Sequence, residues 1–228
     1  MSCPVKKAFR IVYYLFGMVL LAIGITLNTK TNLGVSPLIS IGYAVSQVAH
    51  LNFGNMTFVV YAAFVAIQFL LRRKNARVRD LLQLLVALLF SQLLNLFSVL
   101  LSFEPATLPG RLVMLVFAVF LTGIGAAITL TMEIIPNPGD GLVSAVADTF
   151  HIATGLAKNL CDAVSVVLTL CVGLLFAHRI IGIGLGTLIT VLLCGRVMAL
   201  YYHTLMNPAR KLAGLPPRAA GKPKAETK

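Results

Sequence analysis

Hydrophobic and polar positions divide the chain into six long apolar runs and two shorter, more polar ones. The long runs, about 11–29, 54–71, 81–103, 112–134, 157–177 and 180–203, are each long enough, or nearly so, to cross roughly 30 Å of hydrocarbon as a helix. The short runs, about 36–51 and 138–153, carry Ser36, Ser40, Ser46, Gln47 and His50 in the first, and Asp140, Ser144, Asp148, Thr149 and His151 in the second. Polar groups at that density fit lipid poorly, so these two segments are expected as helices held inside a bundle. Each opens on a proline, Pro37 or Pro138, whose missing N–H is lost at no extra cost in a helix's first turn.

The two short runs are copies of one another. An offset of 101 residues aligns the chain with itself without a gap from Arg10 to about Arg72, matching Arg10 with Arg111, Phe16 with Phe117, Ile23-Gly24 with Ile124-Gly125, Pro37 with Pro138, Ala44-Val45 with Ala145-Val146, His50 with His151 and Gly54 with Gly155. Apolar stretches match by chance, but proline, histidine and arginine recurring in one register do not follow from composition. The last spans need a further shift of about three residues, which sets Gln92 near Arg196. Each repeat is then a span, a short polar helix and two more spans. If the short helix does not cross, each repeat has three crossings and the second is inverted; if it crosses, the repeats run parallel. With three crossings and a cytoplasmic N-terminus the inner face holds fifteen basic residues and the outer face only Lys30, Arg111 and Arg179, whereas four crossings give eleven against seven. The positive-inside rule favours three. The expected fold is therefore an all-α polytopic membrane protein: six transmembrane helices plus two short polar re-entrant helices, in an inverted-topology internal repeat. A basic cytoplasmic N-terminus would occupy 1–10, the repeats 11–103 and 104–206, and a disordered basic cytoplasmic tail 207–228.

Composition agrees: of 228 residues 58% are hydrophobic and 11% charged, too few charges to solvate a globular surface. The 19 Lys+Arg against 7 Asp+Glu lie mostly at the termini and in the 72–79 linker, without interleaved aromatics, so they mark topology and not a nucleic-acid interface. The first run ends in no small-residue cleavage motif and is read as a retained span. Cys3, Cys161, Cys171 and Cys194 have no metal-ligand spacing, and no metal or other cofactor is expected. His-Glu-x-x-His, Gly-x-Ser-x-Gly and P-loop patterns are absent, and Asn137-Pro138-Gly139-Asp140 does not reproduce the Gly-x-Gly-Asp of membrane aspartyl proteases, so no enzyme is expected.

What remains is the chemistry of a helix that starts inside the membrane. Its first N–H groups are unpaired and carry roughly half a positive charge, so they attract an anionic group or a capping side chain. In an inverted repeat two such starts, around Ser36-Pro37 and Asn137-Pro138-Gly139-Asp140-Gly141, meet near the midplane and form one solute site. Asp140 reads equally as a helix cap and as a site for a substrate amine, a cation or a proton. Arg196, deep in the last run, is expected to face the interior and pair with Asp140, Asp162 or a bound anion. Ser40, Gln83, Gln92, Ser144, Asp148, Asp162 and Thr187 are the lining or coupling candidates, with Gln68 and Asn95 weaker; each also reads as interhelical glue. His50 and His151 read as structural residues near the membrane surface before they read as a proton relay. Gly123-Ile124-Gly125-Ala126-Ala127 and Gly182-Ile183-Gly184-Leu185-Gly186 read as close helix packing.

The motifs Pro138-Gly139-Asp140-Gly141-Leu142, Gly155, and Gly182-Ile183-Gly184-Leu185-Gly186-Thr187, with Gly34-Val35-Ser36-Pro37 and Leu81-Leu82-Gln83 in the first half, resemble the YczE/YyaS/YitT-type bacterial integral membrane proteins over most of the chain. That resemblance implies a multi-pass protein of the bacterial cytoplasmic membrane, and a transport role by architecture. The chain departs from the family pattern at Ile39 and Asn95, where acidic residues are common. The expected function is a secondary transporter or permease for a small polar or anionic solute; the alternative is a non-transporting membrane factor that regulates or scaffolds a biosynthetic or export system. The expected partners are the lipid bilayer and the solute, with homo-oligomerisation left open.

Overall fold

A computed structural model describes residues 3–73 and 78–218. Lys74 and Arg77 of the basic linker, and the tail from 219 onward, lie outside the described residues. The order is α1 (Cys3–Lys30), α2 (Pro37–Ala49), α3 (Phe53–Arg72), a 3-10 turn (Val78–Leu81), α4 (Leu82–Leu100), α5 (Leu108–Met132), α6 (Pro138–Phe150), α7 (Thr154–Ala177), α8 (Leu185–Thr204) and α9 (Met206–Leu212). Among the described residues there is no strand, and α1, α3, α4, α5, α7 and α8 are long and apolar enough to cross a membrane. The outward residues of these six, such as Val12, Leu70, Val99, Val113, Leu175 and Leu192, are exposed large hydrophobics, the surface that acyl chains would cover.

Three boundaries move. The first helix begins at Cys3, so residues 3–10 are continuous with the first apolar run. The last long helix begins at Leu185 and not near 180, because 178–184 form an irregular loop in which Gly182 adopts φ +75°. The tail is not disordered throughout: 206–212 form α9, and Ala209, Arg210 and Ala213 are buried. Glu133 holds this segment down, accepting from Arg210 Nη1 at 3.0 Å and from Arg218 Nη1 at 3.3 Å, while Arg210 Nη1 also donates to Thr131 O at 3.2 Å.

The centre of the bundle is the antiparallel pair α1 and α5. Arg10 at the start of α1 donates to Met132 O and Glu133 O at the end of α5 (2.7 and 2.8 Å), and Leu27 near the end of α1 clusters with Met114 near the start of α5. Between them the backbones touch through glycine. A β-carbon on Gly24 would lie 2.6 Å from Thr122 N and 2.8 Å from Ala118 O; one on Gly125 would lie 2.5 Å from Leu21 N and 2.7 Å from Gly17 O. These contacts are reciprocal in the 101-residue register, since Gly24 matches Gly125, Leu21 matches Thr122 and Gly17 matches Ala118.

The short helices share the same register in their backbones. Their N-caps Ser36 (φ -58°, ψ 138°) and Asn137 (φ -59°, ψ 141°) are superimposable in torsion, as are their C-caps His50 (φ 53°, ψ 40°) and His151 (φ 54°, ψ 39°). Both histidines are left-handed helix terminators, a conformation that histidine adopts more readily than most residues with a β-carbon. Their recurrence is thereby explained by backbone geometry. Across the halves, α2 packs on α7 and α6 packs on α3; α4 lies against α3 and α1, and α8 against α5.

Candidate functional site: a buried polar centre where the short helices begin

The start of α6 is built from the bundle's least exposed polar groups. Asn137 caps it, its Oδ1 accepting from Gly139 N at 3.1 Å, and Pro138 takes the first turn. Two glutamines then run up to the helix: Gln83 Nε2 donates to Gln68 Oε1 (3.1 Å), and Gln68 Nε2 donates to Pro138 O (3.1 Å). Both glutamines are 0% exposed, and among the described residues Gln83 Oε1 has no hydrogen-bond partner. Only glycine fits opposite them: a β-carbon on Gly141 would meet Gln83 Oε1 at 2.5 Å and Gln68 Oε1 at 2.6 Å. Tyr61, itself buried, stands beside the Asn137 side chain, and Tyr14 Oη donates to Ile135 O at 2.9 Å. Asp140, half-buried in the first turn, is within electrostatic reach of both tyrosines.

The start of α2 is arranged alike with smaller groups. Ser40, 0% exposed, has its Oγ 2.6 Å from Pro37 O and 2.7 Å from Thr169 Oγ1 of α7. Thr169 is the 101-residue counterpart of Gln68, and Ser40 that of Gly141. The two starts meet: a β-carbon on Gly139 would lie 3.3 Å from Leu38 Cδ1. The structure gathers Asn137, Pro138, Gly139, Asp140, Gly141 and Gln83 at the start of α6, and Ser36, Pro37 and Ser40 at the start of α2, with Leu38 the contact between the two. Tyr14, Tyr61 and Thr169 belong with them and were not singled out from the sequence. For Thr169 the register with Gln68 was the available signal; nothing in the order of residues marks the two tyrosines.

One side of this centre is a backbone clasp. Val35 N donates to Gly182 O (2.9 Å) and Gly186 N to Leu33 O (2.7 Å), and Gly34, at φ +109°, lies so close to Gly184 that a β-carbon would meet Gly184 N at 2.6 Å. The second glycine run therefore serves a loop-to-loop contact at the start of α8 and not a helix interface. Thr187 belongs to that turn, its Oγ1 accepting from Gly184 N at 3.2 Å. Beside the clasp opens a cavity of about 230 Å³ whose lining includes Gly34, Tyr43, Gln47, Arg179 and Gly182.

The remaining candidates lie elsewhere. Arg196 does not face the interior: it is exposed on α8, and among the described residues it has no ion-pair partner. Asp162 pairs instead with Lys158, one helical turn earlier on α7. Gln92 is exposed on α4, and Asn95 accepts from Gly54 N at 2.9 Å, tying down the start of α3. Asp148, 67% exposed, pairs with Arg72 at 3.5 Å, and Arg72 also meets Asp80 at 3.1 Å. Asp140, Ser144 and Asp148 follow one another at helical spacing along α6, half-buried, half-buried and exposed, so a polar stripe runs from the centre to the end of the helix. Among the described residues no group of three or more His, Cys, Asp or Glu side chains is placed to hold a metal ion.

No curated protein and no solved structure matches the chain. A family profile does match, over residues 8–203, from the first turns of α1 almost to the end of α8, and so covers the six long helices and both short polar ones but not α9. The chain belongs to the family of unknown function DUF6198.

Proposed function

We propose that this chain is a secondary transporter or permease of the cytoplasmic membrane, carrying a small polar or anionic solute past the starts of α2 and α6. The observation that carries the reading is Gln83: a fully buried amide whose carbonyl has no hydrogen-bond partner among the described residues, set against the start of a short helix in the middle of an apolar bundle. An unpaired buried acceptor costs about 1–3 kcal/mol, and in lipid-facing protein that is retained where a pathway needs it.

The contacts support the inverted arrangement with re-entrant short helices. The matched helices α1 and α5 run antiparallel with reciprocal glycine contacts, as a two-fold axis in the membrane plane requires. Arg10 with Met132 ties the start of α1 to the end of α5, and Arg72 with Asp148 and Asp80 ties the ends of α3 and α6 to the start of α4. Asn32 Nδ2 donating to Glu104 ties the end of α1 to the loop before α5. Six crossings that respect these ties would return α6 to the face it left and α2 to the opposite face, which supports three crossings per repeat with both termini on the basic side.

The stripe Asp140, Ser144, Asp148 has the counterpart Ile39, Tyr43, Gln47 on α2, of which Tyr43 and Gln47 line the 230 Å³ cavity. Each short helix thus offers a path from its own face of the membrane to one centre, the requirement for alternating access. The resemblance to YczE-type proteins agrees with this reading but rests on short glycine-rich motifs.

The test is thermal-shift screening of small metabolites against purified protein, followed by flux of any hit in liposomes. Gln83→Leu and Asp140→Asn are expected to lower flux at least about tenfold while the protein still folds. If no solute in a broad panel binds or moves, and both variants preserve the cell's phenotype, the second reading, a membrane factor without transport, replaces this one.

A further inference from the structure

The cavity between α2 and the loop joining α7 to α8 holds unspent donors. Arg179 and Gln47 both line it, and among the described residues neither side chain makes a hydrogen bond or ion pair. Tyr43, one turn before Gln47 on α2, adds a hydroxyl to the same wall, and Gly182 of the clasp packs against its ring, with a β-carbon position 3.0 Å from Cδ1. A guanidinium, an amide and a phenol on one concave surface are the donor set that recognises a planar anion such as a carboxylate.

Two observations limit the ligand. At about 230 Å³ the cavity has room for roughly eight water volumes, so the solute is small. The only cationic side chain in the wall is Arg179, and Asn32, another wall residue, donates to the Glu104 carboxylate at 3.1 Å. One positive charge with a carboxylate close behind it disfavours dianions and leaves a monoanion as the species that is neutralised.

We propose that this cavity is a binding site for a small monocarboxylate, held by Arg179 with Gln47 and Tyr43. It rests on the transport reading in that such a site would receive solute at the outer face, where Arg179 is one of three basic residues. The cavity is continuous with the clasp of Gly34 and Gly184, so a carboxylate bound there lies against the backbone that separates it from the start of α2.

The experiment is calorimetric titration of lactate and acetate into the full-length protein in maltoside micelles, which contain no phosphate, with succinate and inorganic phosphate as comparisons. Lactate or acetate is expected to bind, Arg179→Gln to weaken that binding roughly tenfold or more, and Gln47→Ala by a smaller factor. Arg196→Gln, an equally exposed arginine away from the cavity, is expected to bind as the parent does. Failure of both monocarboxylates to bind, equal binding by Arg179→Gln, or tighter binding of succinate or phosphate would each overturn the proposal. If Gln83→Leu keeps lactate binding while flux is lost, the cavity is a site separate from the centre. Lactate bound but never moved would leave the site standing and remove transport, whereas flux of another solute without monocarboxylate binding would do the reverse.

Discussion

At the residue scale the centre depends on a glycine and two glutamines that fit one another. Gly141→Ala would push a methyl into Gln83 Oε1 and Gln68 Oε1, both fully buried, and is expected to lower stability by about 1–3 kcal/mol, read as a drop in the thermal unfolding temperature. Gly155→Ala meets nothing within 4 Å and is expected to leave that temperature within a degree or two, the small change usual for exposed positions. Equal effects from the two substitutions would mean that the glutamines are not packed against α6 as described. Gln68 and Gln83 were legible in the sequence as polar residues in apolar runs, but not their connection, because a hydrogen bond from one span to the next depends on how the helices rotate. Arg196 failed for the same reason. A charge in an apolar run is costly and so reads as interior, yet α8 contacts few other helices and presents Arg196 outward.

At the element scale the short helices were the most legible part of the molecule. Proline at the start, histidine at the end and the 101-residue register located them to within three residues, since helix ends are written by local backbone chemistry. The end of the chain differs from the expectation for a complementary reason: prolines and bases look like a solvated tail, and it is the acceptors Glu133 Oε1, Thr131 O and Pro216 O that give Arg210 a place to go. Arg210 is 4% exposed, and Glu133→Gln removes its carboxylate partner while leaving the Thr131 O and Pro216 O acceptors, so the change is expected to lower stability by about 1–3 kcal/mol. Truncation after Leu205, which removes α9 and with it the buried Arg210, should lower stability. The Arg72 to Asp148 pair is different in kind. It is largely solvated, so Asp148→Asn is expected to change stability by less than about 1 kcal/mol in equilibrium unfolding.

At the scale of the whole molecule, six helices long and apolar enough to cross a membrane were legible in the hydropathy, because lipid leaves few solutions for a chain of this pattern. The clasp did not follow. Gly34 and Gly182-Ile183-Gly184 lie far apart in sequence, and glycine runs carry no record of which backbone they admit. The two halves are also unequal where they are matched: the stripe on α6 bears Asp140 and Asp148, that on α2 Ile39 and Gln47. A pathway that alternates between faces must pass both stripes, and this can be measured without knowing the solute. With Cys3, Cys161, Cys171 and Cys194 replaced by serine, Ser144→Cys is treated with a membrane-impermeant thiol reagent from outside intact cells and, separately, in inside-out vesicles. The lipid-facing Leu192→Cys serves as the unreactive control. The account predicts that Ser144→Cys is labelled from both faces; labelling from one face alone, or from neither, would contradict it.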